Sequence, residues 1–93
     1  MDKAKLKAQS ERVCGCERRY LDLEKQRNEF YADKFLNTDV QEELGLKKAA
    51  TEKQKDYYIK SLNEYKNLTK KLNLAKTRFK HEQRMFEIMI KGE

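Results

Sequence analysis

Proline and tryptophan are absent from this 93-residue chain, and glycine occurs only three times. Little in it therefore forces a turn, and a compact fold of many short elements is disfavoured against a few long helices. Gly15, Gly45 and Gly92 stand alone, which excludes a glycine-rich loop that cradles phosphate. One histidine, His81, has no cysteine, serine or carboxylate at a spacing that suggests a catalytic constellation, and it reads as a surface or interface residue. The acidic residues show no metal-ligand pattern, and the pairs Glu42 with Glu43 and Asp56 with Glu52 read as solvated helix faces. No catalytic residue, metal, cofactor or small-molecule substrate is expected, and the chain is read as not an enzyme.

Long apolar runs are missing too. The longest apolar cluster, 85–90, is interrupted by Glu87 and is far too short to cross a bilayer. The first ten residues are charged and lack the apolar stretch of a signal peptide. The expectation is a soluble, cytoplasmic protein with no membrane span. The two cysteines, Cys14 and Cys16, are separated only by Gly15; on a helix they point to different sides, so a disulfide between them would require unwinding. Two thiolates also fall short of a tetrahedral zinc site, so both are read as reduced side chains, with Cys16 on the apolar face.

What is present is charge at helical spacing. Charged residues make up 41% of the chain and hydrophobic ones 38%, a balance typical of long helices wetted on most sides. The nine aromatics, at helical spacing, argue against a disordered chain. The organising stretch is 44–89. There Tyr58, Tyr65, Leu72, Phe79 and Phe86 recur every seven residues, and Ser61, Leu68, Ala75, Glu82 and Met89 form a companion series three residues on. Alternating steps of three and four are the pattern of a coiled-coil seam. A weaker seam runs through the first part of the chain, with Leu6, Val13 and Tyr20 in one series and Cys16, Leu23 and Phe30 in the other. Gly15 costs about 1 kcal/mol relative to alanine inside a helix, so a kink or late start is expected there.

Asn37, Thr38 and Asp39 supply the only concentrated turn signal. Thr38 with Gln41, or Asp39 with Glu42, has the spacing of a capping box, and Asn37 suits the left-handed conformation that closes a helix. The fold predicted is all-α: an antiparallel, coiled-coil-like two-helix hairpin forming a single domain over 1–93. Its first helix covers about 3–36, the turn 37–39, and a longer second helix about 40–91. Gly45 is the weak point of that second helix, which is read as continuous because no capping residue lies between Gly45 and Ala50.

A turn centred near Thr38 pairs residue 3 with about residue 74, because both helices rise about 1.5 Å per residue. Residues beyond Leu74 would then lack intramolecular cover, although they include Phe79, Met85, Phe86, Ile88, Met89 and Ile90. More apolar surface sits there than a free helical tip presents, so oligomerisation through the C-terminal part is expected. The predicted oligomer or partner interface comprises Tyr58, Tyr65, Leu68, Leu72, Phe79, Met85, Phe86, Met89 and Ile90.

Charge is concentrated in the same region. Residues 66–91 hold eight basic and two acidic side chains, so that segment alone matches the chain's formal charge of +6. Lys66, Lys70, Lys80, Arg84 and Lys91 fall opposite the aromatic seam, with Lys71 nearby. They are the candidate nucleic-acid residues, a row that could track a phosphate backbone without choosing a sequence. Tyr57 and Tyr31 are the exposed aromatic candidates for stacking.

The size and hairpin outline resemble those of several groups of small helical proteins: secreted WXG-type partners, needle or chaperone subunits of secretion machines, and phage-encoded accessory or inhibitor proteins. The first group's Trp-x-Gly turn is missing, since the turn here reads Asn37, Thr38, Asp39. The abundance of Lys, Asn and Tyr is compatible with an A/T-rich coding genome, as in many phages. The leading expectation is a non-enzymatic protein-protein interaction module, an assembly subunit, adaptor or inhibitor, forming homo-oligomers or meeting a heterologous protein. The alternative is a nucleic-acid-binding accessory protein whose oligomer aligns basic helix faces.

Overall fold

The computed structural model describes residues 2–92 and is all-helical among them. Its elements are α1 (Lys3–Asn37), α2 (Val40–Leu44), α3 (Glu52–Ser61) and α4 (Asn63–Lys91). Gly15 does not delay α1, which starts at Lys3 and runs through it.

The second half is not one helix. Of the two candidate caps, Thr38 and Asp39, it is Asp39 that caps α2, its side chain accepting a hydrogen bond from the Glu42 backbone N–H at 3.2 Å. Gly45 then ends α2 in the left-handed conformation, φ +64°, and its N–H bonds back to the carbonyls of Gln41 and Glu42. Glycine adopts that conformation without the steric cost of a Cβ, so the break falls there. The chain stays irregular to Thr51, which opens α3 with a full capping box: its hydroxyl accepts from the Gln54 N–H at 3.2 Å, and its own N–H donates to Gln54 Oε1 at 2.9 Å. Thr51 lies one residue past Ala50, the end of the capless interval on which the continuous second helix rests. A second break falls at Leu62, whose extended backbone (ψ 138°) separates α3 from α4. The Ser61 hydroxyl donates to the Tyr58 carbonyl at 2.6 Å, offering the last turn of α3 a local alternative to the helix ladder. The expectation for Asn37 also fails: it remains in α1, donates to Asp33 at 2.8 Å, and no residue other than glycine has positive φ among the described residues.

The chain divides into two units. Unit 1 takes the residues up to Glu24 and those from Lys71 onward, and unit 2 is Lys25–Lys70. In unit 1 the α1 and α4 segments pair antiparallel around Leu23, Leu72 and Ala75, with Tyr20 against them. Tyr20 stacks on Phe79 with ring centroids 5.5 Å apart. In unit 2, α2 packs on α3, and Val40 and Ile59 are fully buried.

These pairings overturn the expected register. A hairpin closing at Thr38 puts Tyr20 opposite a residue near 57, yet its partner is Phe79. Residues 40–51 explain part of the shift: α2 folds onto α3 and the following loop is not helical, so this chain is used without advancing a helix along α1. Part of the overhang predicted beyond Leu74 is therefore covered from within the chain: Phe79, Phe86 and Met89 are half-buried, whereas Met85, Ile88 and Ile90 stay exposed.

Candidate interaction surface

The heptad series in unit 1 marks the inner side of α4. Leu72 is 0% exposed and Ala75 is buried, while Phe79 lies half-buried on Tyr20. Leu72 and Phe79, expected at an intermolecular interface, are thus engaged inside unit 1. Phe86 and Met89 are half-buried further along the same series. In unit 2, Tyr65 lies 6.3 Å from Tyr31 and under the Arg27 guanidinium at 5.8 Å, so it too is partnered within the chain. Tyr58 and Leu68 are half-buried there.

A polar layer interrupts the seam near one end of unit 1. Gln9 is 4% exposed, and its side-chain amide donates to the Glu82 backbone carbonyl at 2.9 Å and to Glu82 Oε2 at 2.7 Å. Glu82 sits in a heptad position that wants an apolar residue, and Gln9 is what makes it tolerable, since a buried polar group is costly unless bonded. The sequence reading passed over Gln9 because a glutamine carries no apolar signal; the polar residue at the seam position of Glu82 was the available clue.

Outside the seam, α4 carries a second set of apolar side chains. Leu74 is 73% exposed, Met85 42% and Ile88 54%, and at helical spacing they share a side distinct from that of Leu72 and Phe79. Ile90 is exposed near the helix end. Of the predicted interface residues, Met85 and Ile90 are thus the ones open to a partner, while Leu74 and Ile88 join them.

Beside this stripe, α1 and α4 leave a shallow hollow of about 170 Å³. Cys16, Ala75 and Leu74 line it together with Arg19, Lys71 and Arg78. It continues along the helices past Arg12 and Gly15, with Glu82 at its margin. Arg12 donates to Gln9 Oε1 at 3.3 Å, but no carboxylate lies within ion-pair distance of Arg12, Arg19, Lys71 or Arg78 among the described residues. Lys76, by contrast, is engaged inside unit 1, 3.9 Å from Glu24 and over the Tyr20 ring.

The candidate phosphate-contacting residues are exposed: Lys66 and Lys70 in unit 2, and Lys71, Lys80, Arg84 and Lys91 in unit 1. Of the aromatic candidates, Tyr57 is exposed, but Tyr31 is half-buried and committed. It packs on Phe35, and its hydroxyl donates to Asp56 at 2.7 Å. That hydrogen bond, with burial and the Asp56 charge adding to it, raises the Tyr31 pKa. It also lowers the Asp56 pKa, with Lys60 at 3.1 Å acting in the same direction. Asp56 is therefore bound into unit 2 rather than simply solvated.

A larger hollow in unit 2, of about 440 Å³, brings Lys34 together with Asp39, Glu43 and Glu64, so its rim carries both signs of charge. Among the described residues no group of His, Cys, Asp or Glu is placed to hold a metal ion, both cysteines are free, and no helix is long and apolar enough to cross a membrane. No family model, curated protein or solved structure matches the chain.

Proposed function

We propose that the chain is a non-enzymatic protein-protein interaction module, an adaptor or assembly subunit, that contacts a second copy of itself through the outer side of α4 in unit 1. The observation that carries this reading is the pair Met85 and Ile88, exposed one turn apart on α4 while Phe86 and Met89 of the seam are half-buried. Scattered surface hydrophobics are ordinary, but two exposed one turn apart, with Ile90 close by, put several apolar side chains at one end of one helix. Replacing both Met85 and Ile88 by aspartate is expected to leave helicity unchanged, because neither is buried, and to reduce the mass measured by sedimentation equilibrium to that of a monomer. Equal masses for wild type and variant would overturn self-association through this side.

A second reading is favoured by one observation: Lys80, Arg84 and Lys91 are exposed on one face of the same α4 segment, and none has a carboxylate within ion-pair distance among the described residues. In that reading the protein is a nucleic-acid accessory factor. Reversal of all three to glutamate then abolishes binding to labelled single- and double-stranded DNA and RNA, and the logarithm of the wild-type affinity falls linearly with the logarithm of salt concentration, with a slope near 0.9 per phosphate contacted on duplex DNA. Absence of binding by the wild type at low salt rejects it.

A further inference from the structure

We infer that the hollow between α1 and α4 in unit 1 receives an acidic amphipathic helix from a different protein, which completes a three-helix core there. The inference rests on the reading of the chain as an interaction module and assigns it a class of partner.

Three features of the hollow define the occupant. The floor is apolar, formed by Cys16, Ala75 and the largely exposed Leu74. Both walls are basic, and with the same period: Arg12 and Arg19 are seven residues apart on α1, and Lys71 and Arg78 are seven apart on α4. Seven residues span about 10.5 Å of helix, or two turns, so each wall presents cations at the repeat with which a third helix would present carboxylates along its flanks. None of the four cations has a carboxylate within ion-pair distance among the described residues. Glu82, the one acidic side chain at the margin, already accepts from Gln9. A second copy of this chain, with a formal charge of +6, brings mostly further cations to these walls, whereas a helix with apolar residues on one stripe and glutamates beside it satisfies floor and walls together.

Gly15 gives independent support. It lies in the middle of α1, where glycine is unfavourable, and a Cβ built there meets nothing within 4 Å, so no packing inside the chain calls for it. It borders the hollow. A glycine at that place lets another backbone approach closely, which is what a docking helix requires. The apolar floor also favours a peptide over a nucleic acid, because phosphate contacts draw on the cations but leave the exposed Leu74 uncovered.

The two cysteines allow a test on the full-length chain. Cys16 lies in the hollow and Cys14 does not, so Cys14→Ser and Cys16→Ser leave one reporter thiol each, inside and outside the site. The probe is a synthetic three-heptad peptide with leucine on one stripe and glutamate on both flanks. A matched peptide with lysine in place of glutamate is the control. At roughly ten times its dissociation constant, the acidic peptide is expected to slow alkylation of Cys16 about tenfold and leave Cys14 unchanged, while the lysine peptide protects neither.

Gly15→Gln, which improves helix propensity and so keeps the fold, and the pair Arg19→Glu with Arg78→Glu are each expected to abolish this protection. Lys80→Glu with Arg84→Glu, away from the hollow, retains it. The inference falls if the acidic peptide fails to protect Cys16, if protection survives Gly15→Gln and the charge reversal, or if Cys14 is protected equally. It also falls if labelled nucleic acid protects Cys16 where the peptide does not, which assigns the cations to phosphate. Protection that grows with the chain's own concentration in the absence of peptide makes a second copy the occupant, and likewise overturns it. Sedimentation of the Met85 and Ile88 variant reads a different quantity, so self-association and helix capture fail separately.

Discussion

Tyr31 is the side chain on which unit 2 places the most specific geometry, and its consequences belong to single residues. The hydrogen bond to Asp56 favours the neutral phenol and the ionised carboxylate, raising one pKa and lowering the other. The signs follow from linkage. Asp56, with a folded pKa below its unfolded value, contributes stability above the ordinary carboxylate range, and that contribution is lost as pH falls through the lowered folded value. Tyr31, with a raised folded pKa, contributes below the ordinary phenol range, and that part is lost as pH rises through the raised value. Tyr31→Phe is therefore expected to lower the urea midpoint at neutral pH and to flatten the dependence on pH at the acid limb. Urea titrations followed by far-UV circular dichroism at pH 7 and pH 3 check this. A variant whose midpoint falls as steeply with acid as the wild type's would show that another carboxylate controls that limb.

At the scale of elements, two glycines of similar sequence appearance have opposite meanings. Gly45 ends α2 with positive φ, so Gly45→Ala forces an L side chain into a conformation that costs about 1 kcal/mol. Gly15 lies inside α1 with open space around its would-be Cβ, so Gly15→Ala is expected to stabilise by about 1 kcal/mol. Thr51→Ala removes the hydroxyl that accepts from Gln54 and is expected to cost about 1 kcal/mol. Denaturant midpoints of the three variants measure these differences, and the contrast between the glycines is the sharper check because its sign is at stake. The caps at Asp39 and Thr51 were both written in residue types at the right spacing. The turn cluster marks the first only as an alternative to Thr38, and the second, just past Ala50, stands outside any turn cluster. The break at Leu62 has no comparable signal, since leucine is neither a cap nor a helix breaker.

At the scale of the molecule, the buried hydrophobic set is small: Leu23, Leu72 and Ala75 in unit 1, and Val40 and Ile59 in unit 2. Stability is then expected to vary strongly along the chain, because amides open at a cost set by the apolar contacts that hold them. Hydrogen exchange read by mass spectrometry should find the slowest amides in the α4 turns around Leu72 and the fastest in the irregular 46–50 segment. Adding the acidic peptide should slow exchange in the α1 and α4 turns that border the hollow and leave 46–50 unchanged.

Helical content, the residues of each apolar stripe and the cap at Asp39 were legible from the sequence because each is local: periodicity and capping act over one or two helical turns. The seven-residue series through Leu72, Phe79 and Phe86 marks a covered face whichever helix covers it, and so does not say which one does. Only the tertiary structure decided that Phe79 meets Tyr20 of the same chain. That outcome depends on how many residues the excursion at 40–51 consumes, a non-local quantity set by the Gly45 and Thr51 breaks together with the packing of α2 on α3. The same register half-buries Phe79, Phe86 and Met89 of the expected uncovered tip and leaves Leu74, Met85 and Ile88 exposed. It also brought Arg12 and Arg19 opposite Lys71 and Arg78, residues more than fifty positions apart in sequence, into one basic-walled hollow.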